Sequence, residues 1–224
     1  AGSKPELMAV LGLAKPSSVI ICNGYKDREF IHLALLGKQL GFDTMIVVEK
    51  PSELEMILQE AERLGVKPGI GVRLRLSTLG AGKWQNSGGD KAKFGLSPRQ
   101  VLDLVEKLRA TGNLDCLQLL HFHMGSQISN LRDIAAGMRE AVRYFVELSK
   151  AGCAIRFMDS GGGLGVDYEG TRSRGACSTN YRLEQFAHTL IQPLQEACAA
   201  HGLPEPRMIT EAGRAMTAHH AMMV

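Results

Sequence analysis

The sequence lacks the features that define several large classes of protein. No apolar run approaches the roughly 20 residues that a membrane-spanning helix requires, and no signal peptide is visible. The 26 basic and 23 acidic residues leave a net charge of only +3, and the basic residues do not form a cluster. We therefore predict neither a membrane protein nor a partner of nucleic acid.

Cysteine is sparse and unpatterned. The five cysteines are scattered, odd in number and without a C-x-x-C pair, which argues against a disulfide framework and against a zinc site. Reduced thiols are typical of the cytoplasm, where we expect this protein. The adjacent pair His219 and His220 would point to opposite faces of a strand, so we assign no metal ligands.

The remaining composition is that of an ordinary globular protein. The 224 residues are 45% hydrophobic and 22% charged, which suits one domain over residues 1–224. The chain opens at Ala1 without an initiator Met and stops at Val224 inside an apolar run. We interpret it as a fragment of a longer protein.

Apolar strand-like runs alternate with helix-like stripes about six times. Strands are predicted at 19–22, 44–48, 70–76, 116–123, 155–159 and 207–211, and helices at 6–14, 26–40, 51–64, 97–110, 131–150 and 183–201. Such alternation predicts a parallel sheet with right-handed crossovers, either a (β/α)8 barrel or an open doubly wound sheet. The last three strands each end in polar residues followed by glycine, which favours the barrel because its sites gather on that face.

Three of these strand ends carry candidate phosphate-binding groups. The run Gly161, Gly162 and Gly163 lets backbone N–H groups approach an anion, since no Cβ stands in the way. Arg214, after Gly213, could donate two N–H groups of its guanidinium to a phosphate, and Ser126 could donate its hydroxyl. The alternatives are a flexible turn for the glycine run and an ordinary surface arginine for Arg214. The glycine run does not open a helix directly, so it is a poor dinucleotide fingerprint.

Two further side chains lie at the same predicted strand ends. Glu211 is a candidate base, metal ligand or partner of a cationic nitrogen, or else the salt-bridge partner of Arg73 or Arg75. His123 is either a core histidine or a ring facing a ligand, and His121 is more simply a structural residue. The long loop 77–95 holds the single Trp and three lysines, and it is either functional or a solvated charged loop.

Four phrases, taken in order, resemble the PLP-dependent decarboxylases that have an alanine-racemase-like barrel. They are residues 21–27 (ICNGYKD), 84–95 (WQNSGGDKAKFG), 121–128 (HFHMGSQI) and 161–168 (GGGLGVDY). The likeness runs from about residue 5 to the end and is closest to the arginine-specific members of the family. It implies an α/β fold, an incomplete TIM (β/α)8 barrel, with pyridoxal 5'-phosphate as the cofactor.

The resemblance also implies roles for individual residues. His123 would stack on the pyridine ring, and Glu211 would keep the pyridine nitrogen protonated, which makes both catalytic. The phosphate would be held by Ser126, Gly161, Gly162, Gly163, Gly213 and Arg214. Arg75 and residues 93–95 match positions near the cofactor.

The implied reaction converts arginine to agmatine and CO₂, the first step of a route to polyamines. A homo-oligomer and a requirement for Mg²⁺ are implied by the family alone. Diaminopimelate or ornithine decarboxylation on the same barrel, a non-catalytic PLP-binding barrel and a nucleotide-phosphate barrel without PLP remain alternatives.

The chain departs from the family pattern in two ways. The Schiff-base lysine of the family lies in a Pro-x-Lys-x-Asn-like phrase, and this sequence contains no such phrase. Lys26 and Lys50 follow predicted strands, but their neighbouring residues do not match it. The β-rich C-terminal domain, which supplies a catalytic cysteine and a substrate-binding acid, is also absent.

We therefore predict that this chain alone does not decarboxylate arginine, because the covalent anchor for the cofactor is missing. The measurement is release of labelled CO₂ from carboxyl-labelled arginine in the presence of PLP. Release above the rate of PLP alone would contradict the prediction.

Overall fold

The structure, a computed structural model, describes residues 1–77 and 94–220. Strands β1–β6 are Val19–Cys22, Asp43–Val48, Ile70–Leu74, Leu117–Phe122, Phe157–Asp159 and Arg207–Ile209. Helices α1–α7 are Lys4–Leu13, Arg28–Gln39, Pro51–Leu64, Pro98–Ala110, Leu131–Lys150, Leu183–His201 and Gly213–Thr217. None of the helices in these ranges is long and apolar enough to cross a membrane.

The strands form one sheet in the order β1-β2-β3-β4-β5-β6. The pairs β1–β2, β2–β3 and β5–β6 are parallel, with Ile20 opposite Thr44 and Met158 opposite Met208. A sequential order without reversal is that of a barrel, whereas a doubly wound sheet reverses at its switch point. The described residues contribute six strands where a closed barrel has eight, so the predicted α/β class and incomplete barrel are confirmed.

Helix boundaries follow the predictions more closely than strand boundaries. Helices α3, α5 and α6 begin and end at the predicted residues. Strand β6 ends at Ile209 rather than at Glu211, and the short helix α7 was not predicted. Most of the predicted loop 77–95, including Trp84 and Lys93, lies outside the described residues.

The chain divides into two compact units. Among the described residues, the first contains 1–73, 94–120 and 152–154, and the second contains 74–77, 121–151 and 155–220. Most of the described residues that we predict to contact the cofactor, from Arg75 to Arg214, fall in the second unit. The exceptions are Phe94 and Gly95, which fall in the first unit.

In the second unit, helix α5 packs closely against the chain segments that follow the strands. In α5, a Cβ added at Gly137 would meet Sδ of Met124 at 2.0 Å, so glycine at this position lets the chain after β4 pass against the helix. Asn180 reaches the start of the same helix, where its Oδ1 accepts a hydrogen bond from the Leu131 N–H at 3.0 Å. The first turn of α5 and the long loop before α6 are thereby joined.

A charged cluster is buried in the first unit. The side chain of Lys26 is fully buried, and its Nζ donates to the carbonyl of Gly24 at 2.7 Å. This Nζ lies 3.7 Å from a Glu53 oxygen and 4.0 Å from a Glu49 oxygen, and Glu49 also pairs with Arg73 at 3.0 Å. Burial lowers the pKa of Lys26, while the two carboxylates oppose that shift.

Replacing Lys26 by Met should lower the free energy of unfolding by about 3–5 kcal/mol, because two buried carboxylates lose their shared cation. Urea denaturation at neutral pH measures the change. Lys4→Met is the matched control: Lys4 also pairs with two carboxylates, at 2.8 and 2.7 Å, but on the surface. Its loss should be much smaller than that of Lys26→Met, because exposed ion pairs are screened by solvent, and equal losses in both variants would contradict the assignment.

Candidate functional site

The hydrogen-bond ladder of β5 and β6 continues beyond the ends of both strands. The Ser160 N–H donates to the carbonyl of Ile209 at 3.0 Å, and the Glu211 N–H donates to the carbonyl of Gly161 at 2.8 Å. Glu211 is therefore held beside the glycine run although it lies outside the strand. The polar residues that follow these two strands come together, as predicted.

The ring of His123 lies against the same glycine run. Its Nδ1 accepts a hydrogen bond from the Gly162 N–H at 3.2 Å. A Cβ at Gly161 would lie 2.8 Å from this Nδ1 and 2.6 Å from the carbonyl oxygen of Phe122. A Cβ at Gly162 would lie 3.0 Å from the carbonyl oxygen of Glu211. The half-buried ring is thus placed at the strand ends rather than in the core.

Ser126 and Arg214 converge although 88 positions separate them. Nε of Arg214 donates to Oγ of Ser126 at 3.3 Å, and its Nη1 donates to the Tyr168 hydroxyl at 3.4 Å. A guanidinium and two hydroxyls in contact form a strong set of donors for a phosphate. Sequence reasoning did not assign Tyr168 to the site, although it closes the phrase 161–168.

Two side chains join the loops that carry these groups. The Gln127 amide donates to the Val166 carbonyl at 2.6 Å and accepts from the Val166 N–H at 2.9 Å. The Tyr181 hydroxyl donates to the Ile128 carbonyl at 2.6 Å and accepts from the Gly165 N–H at 3.0 Å. Burial raises the pKa of Tyr181, which keeps this hydroxyl a donor.

Tyr168 belongs to a loop that is organised by a buried hydroxyl. Oγ of Ser178 donates to Asp167 at 2.6 Å, and the Arg172 N–H donates to the same carboxylate at 3.1 Å. These hydrogen bonds hold the pKa of Asp167 below its usual value, and the one from Ser178 has the largest effect. The ionised carboxylate therefore fixes the loop beside Arg214 at neutral pH.

Several backbone donors predicted to bind phosphate have partners within the chain. The Gly161 N–H donates to Oδ1 of Asp159 at 2.9 Å, the Gly162 N–H donates to His123, and the Gly213 N–H donates to the Glu211 carbonyl at 2.8 Å. The side chains of Ser126 and Arg214 are therefore the stronger candidates. Phosphate binding by the three consecutive glycines and by Gly213 stays a prediction.

The remaining predicted positions are less directly connected to this group. Arg75 is half-buried one residue beyond β3, and its contact with a cofactor stays a prediction. Arg73, considered as a salt-bridge partner of Glu211, pairs with Glu49 in the first unit and lies over the ring of Phe94 at 5.1 Å.

A buried histidine–aspartate pair was missed by sequence reasoning. Nδ1 of His121 lies 3.0 Å from Oδ2 of Asp159, and both residues are buried. A ring nitrogen of His121, a carboxylate oxygen of Asp159 and one of Glu211 lie within 4.8 Å of one another. The signal was available, because His121 shares a strand face with His123 and Asp159 ends the next strand.

The fold and these strand ends define a protein of the α/β barrel class whose candidate site lies at the C-terminal ends of its strands. Residues 1–218 match the family described as "Pyridoxal-dependent decarboxylase, pyridoxal binding domain". The chain belongs to the pyridoxal-dependent decarboxylases, and its cofactor is pyridoxal 5'-phosphate. This membership confirms the predicted family.

The chain is 69% identical over 224 residues to the biosynthetic arginine decarboxylase of Xanthomonas campestris and 67% identical to that of Xylella fastidiosa. Each match covers all of this chain but only 36% of the relative. Among solved structures, the biosynthetic arginine decarboxylase of Campylobacter jejuni matches with a TM-score of 0.83 at 30% identity, over 96% of this chain and 34% of that one.

A diaminopimelate decarboxylase from Helicobacter pylori matches with a TM-score of 0.77 at 24% identity, over 96% of this chain and 50% of that one. At this identity the match shows a common fold and nothing about substrate. The chain spans about a third of the length of the curated relatives it matches.

Gly161→Ala should destabilise the chain more than Gly170→Ala. Both glycines have a left-handed φ, +63° and +68°, so each substitution costs about 1–2 kcal/mol in backbone strain. A Cβ at Gly170 meets nothing within 4 Å, whereas at Gly161 it overlaps Phe122 and His123 and should cost about 1–3 kcal/mol more.

Urea denaturation measures the two losses, and the NMR signals of the His123 ring report its displacement. Equal losses with an unmoved ring would show that the close approach at Gly161 has been misassigned.

Proposed function

We propose that this chain is a segment of a PLP-dependent arginine decarboxylase and supplies much of its cofactor site. The observation that carries the proposal is the placement of the His123 ring against Gly161 and Gly162, with Glu211 on the adjacent strand end. An imidazole and a carboxylate on either side of a glycine turn suit a flat, cationic heterocycle better than a sugar or a free phosphate.

The residues present fit each part of PLP. The His123 ring would lie on the face of the pyridine, and Glu211 would accept the hydrogen bond of the protonated ring nitrogen. Ser126 and Arg214 would hold the phosphate, with Tyr168 as a further donor through its hydroxyl. When bound, PLP supplies the electron sink that stabilises the carbanion left by the departure of CO₂.

Arginine is the substrate that the relatives support. The proteins at 69% and 67% identity are named biosynthetic arginine decarboxylases, whereas the diaminopimelate enzyme at 24% shares only the fold. The product would be agmatine, which leads toward polyamines. A non-catalytic PLP carrier is disfavoured by membership in a family of decarboxylases, and a nucleotide-phosphate barrel by the pyridoxal-binding match.

A cytoplasmic location is supported by the cysteines. All five are free thiols, and Cys177 alone is exposed, as suits a reducing compartment. Burial raises the pKa of Cys22 to about 11, so this thiol is inert. Assembly into a homo-oligomer and a requirement for Mg²⁺ are further proposals, supported by family resemblance alone.

Glu211→Ala in the full-length enzyme should lower kcat for arginine by at least roughly 100-fold, because the ring nitrogen loses the carboxylate that keeps it protonated. The absorbance of the bound cofactor should remain detectable, since the phosphate contacts are unchanged. Labelled CO₂ release measures turnover.

The matched control is Glu205→Ala, an exposed glutamate before the start of the same strand, which should retain full activity. Unchanged turnover in Glu211→Ala would refute the assigned role.

A further inference from the structure

The carboxylate of Asp159 is fixed by two hydrogen bonds beneath the site. Its Oδ2 faces Nδ1 of His121 at 3.0 Å, and its Oδ1 accepts the Gly161 N–H at 2.9 Å. Rotation of the carboxylate would break one of these contacts. Asp159 is thereby fixed in orientation, and it accepts a hydrogen bond from Nδ1–H of His121, which fixes the ring in turn.

This pair is shielded from solvent. The side chain of His121 is 3% exposed and that of Asp159 is 0% exposed. Burying a carboxylate with an imidazole costs desolvation free energy, and apolar side chains of similar volume often stabilise such a position at least as well. Packing alone therefore does not account for the pair.

Glu211 is linked to the pair in two ways. Its N–H donates to the carbonyl of Gly161, the residue whose own N–H binds Asp159. Its carboxylate also approaches the pair, since one oxygen lies within 4.8 Å of both a His121 ring nitrogen and an Asp159 oxygen. Glu211 itself is exposed, so the buried pair lies beneath an accessible carboxylate.

We propose that His121, held by Asp159, is a positioning residue that orients the carboxylate of Glu211 toward the pyridine nitrogen of PLP. The inference rests on the proposed function, in which Glu211 pairs with that nitrogen, and it assigns a task to two residues that the proposed function does not use. Because Asp159 takes the hydrogen bond from Nδ1–H, the ring donates to Glu211 only through an N–H on its other nitrogen, which the doubly protonated imidazole between two carboxylates provides. That second hydrogen bond restricts the rotamers of the Glu211 carboxylate before the cofactor arrives. Partners of this outer kind commonly change ligand affinity or activity by about 10–100-fold.

A divalent cation is the competing explanation, because imidazole and carboxylates are also metal ligands. The direct contact between His121 and Asp159 favours a hydrogen bond instead. Metal content therefore belongs in the test.

The experiment uses the full-length enzyme loaded with PLP that carries ¹⁵N in its ring. The ¹⁵N chemical shift reports directly whether the ring nitrogen is protonated, independently of turnover. His121→Asn keeps an amide near the position of Nδ1 and removes the far nitrogen, while Asp159→Asn keeps an oxygen for the Gly161 N–H.

In both variants we expect the ring nitrogen to lose its proton at a lower pH than in the parent enzyme. We also expect kcat to fall about tenfold, with KM within about twofold, because Glu211 is present but poorly oriented. Thermal unfolding of each variant is measured as well. If one variant fails to fold, the ¹⁵N shift measured in the other variant tests the positioning role.

His32→Gln is the matched control, since His32 pairs with a buried carboxylate, Glu60, at 2.6 Å in the first unit. It should leave the ¹⁵N titration and kcat unchanged.

Glu211→Gln separates the two levels of the hypothesis. An unchanged ¹⁵N titration in Glu211→Gln would overturn the proposed pairing itself. A shifted titration in Glu211→Gln, with unshifted titrations in His121→Asn and Asp159→Asn, would overturn only the positioning role. Stoichiometric divalent metal that is lost in His121→Asn would also overturn it.

Discussion

The backbone hydrogen bond from Glu211 to Gly161 extends the β5–β6 ladder past the ends of both strands. The chain can approach so closely there because Gly161 has no side chain, and a Cβ would overlap Phe122 and His123. This contact fixes the backbone of Glu211 beside the glycine turn. The ring of His123 lies on one side of that turn and Glu211 on the other, so the geometry of the proposed cofactor site depends on this contact.

Buried charge is handled differently in the two units. In the first unit, Lys26, Glu49, Glu53 and Arg73 compensate one another and are satisfied by backbone groups, as expected of a structural network. In the second, His121 and Asp159 form a pair that also accepts the Gly161 N–H and lies close to the exposed residue Glu211. A network that is closed on itself stabilises the fold, whereas a pair that borders a ligand site is available to orient a functional group.

Helix and strand order was readable because hydrophobic periodicity is a local property. Helices α3, α5 and α6 were predicted to the residue, since proline, glycine or capping groups mark their ends. Strand β6 was predicted too long, because strand ends depend on ladder partners far along the chain. Helix α7 has only five residues, too few to show a period.

The sequence by itself determined the alternating α/β class, the strand ends that carry polar residues, and the family, because periodicity, glycine placement and ordered phrases are written along the chain. Only the tertiary structure decided which of these groups meet. It joined Ser126 to Arg214, drew Tyr168 to the same guanidinium, and placed Asp159 beneath His121. The physical reason is that hydrogen bonds between residues 38 to 88 positions apart depend on sheet register and loop closure, which no local pattern encodes.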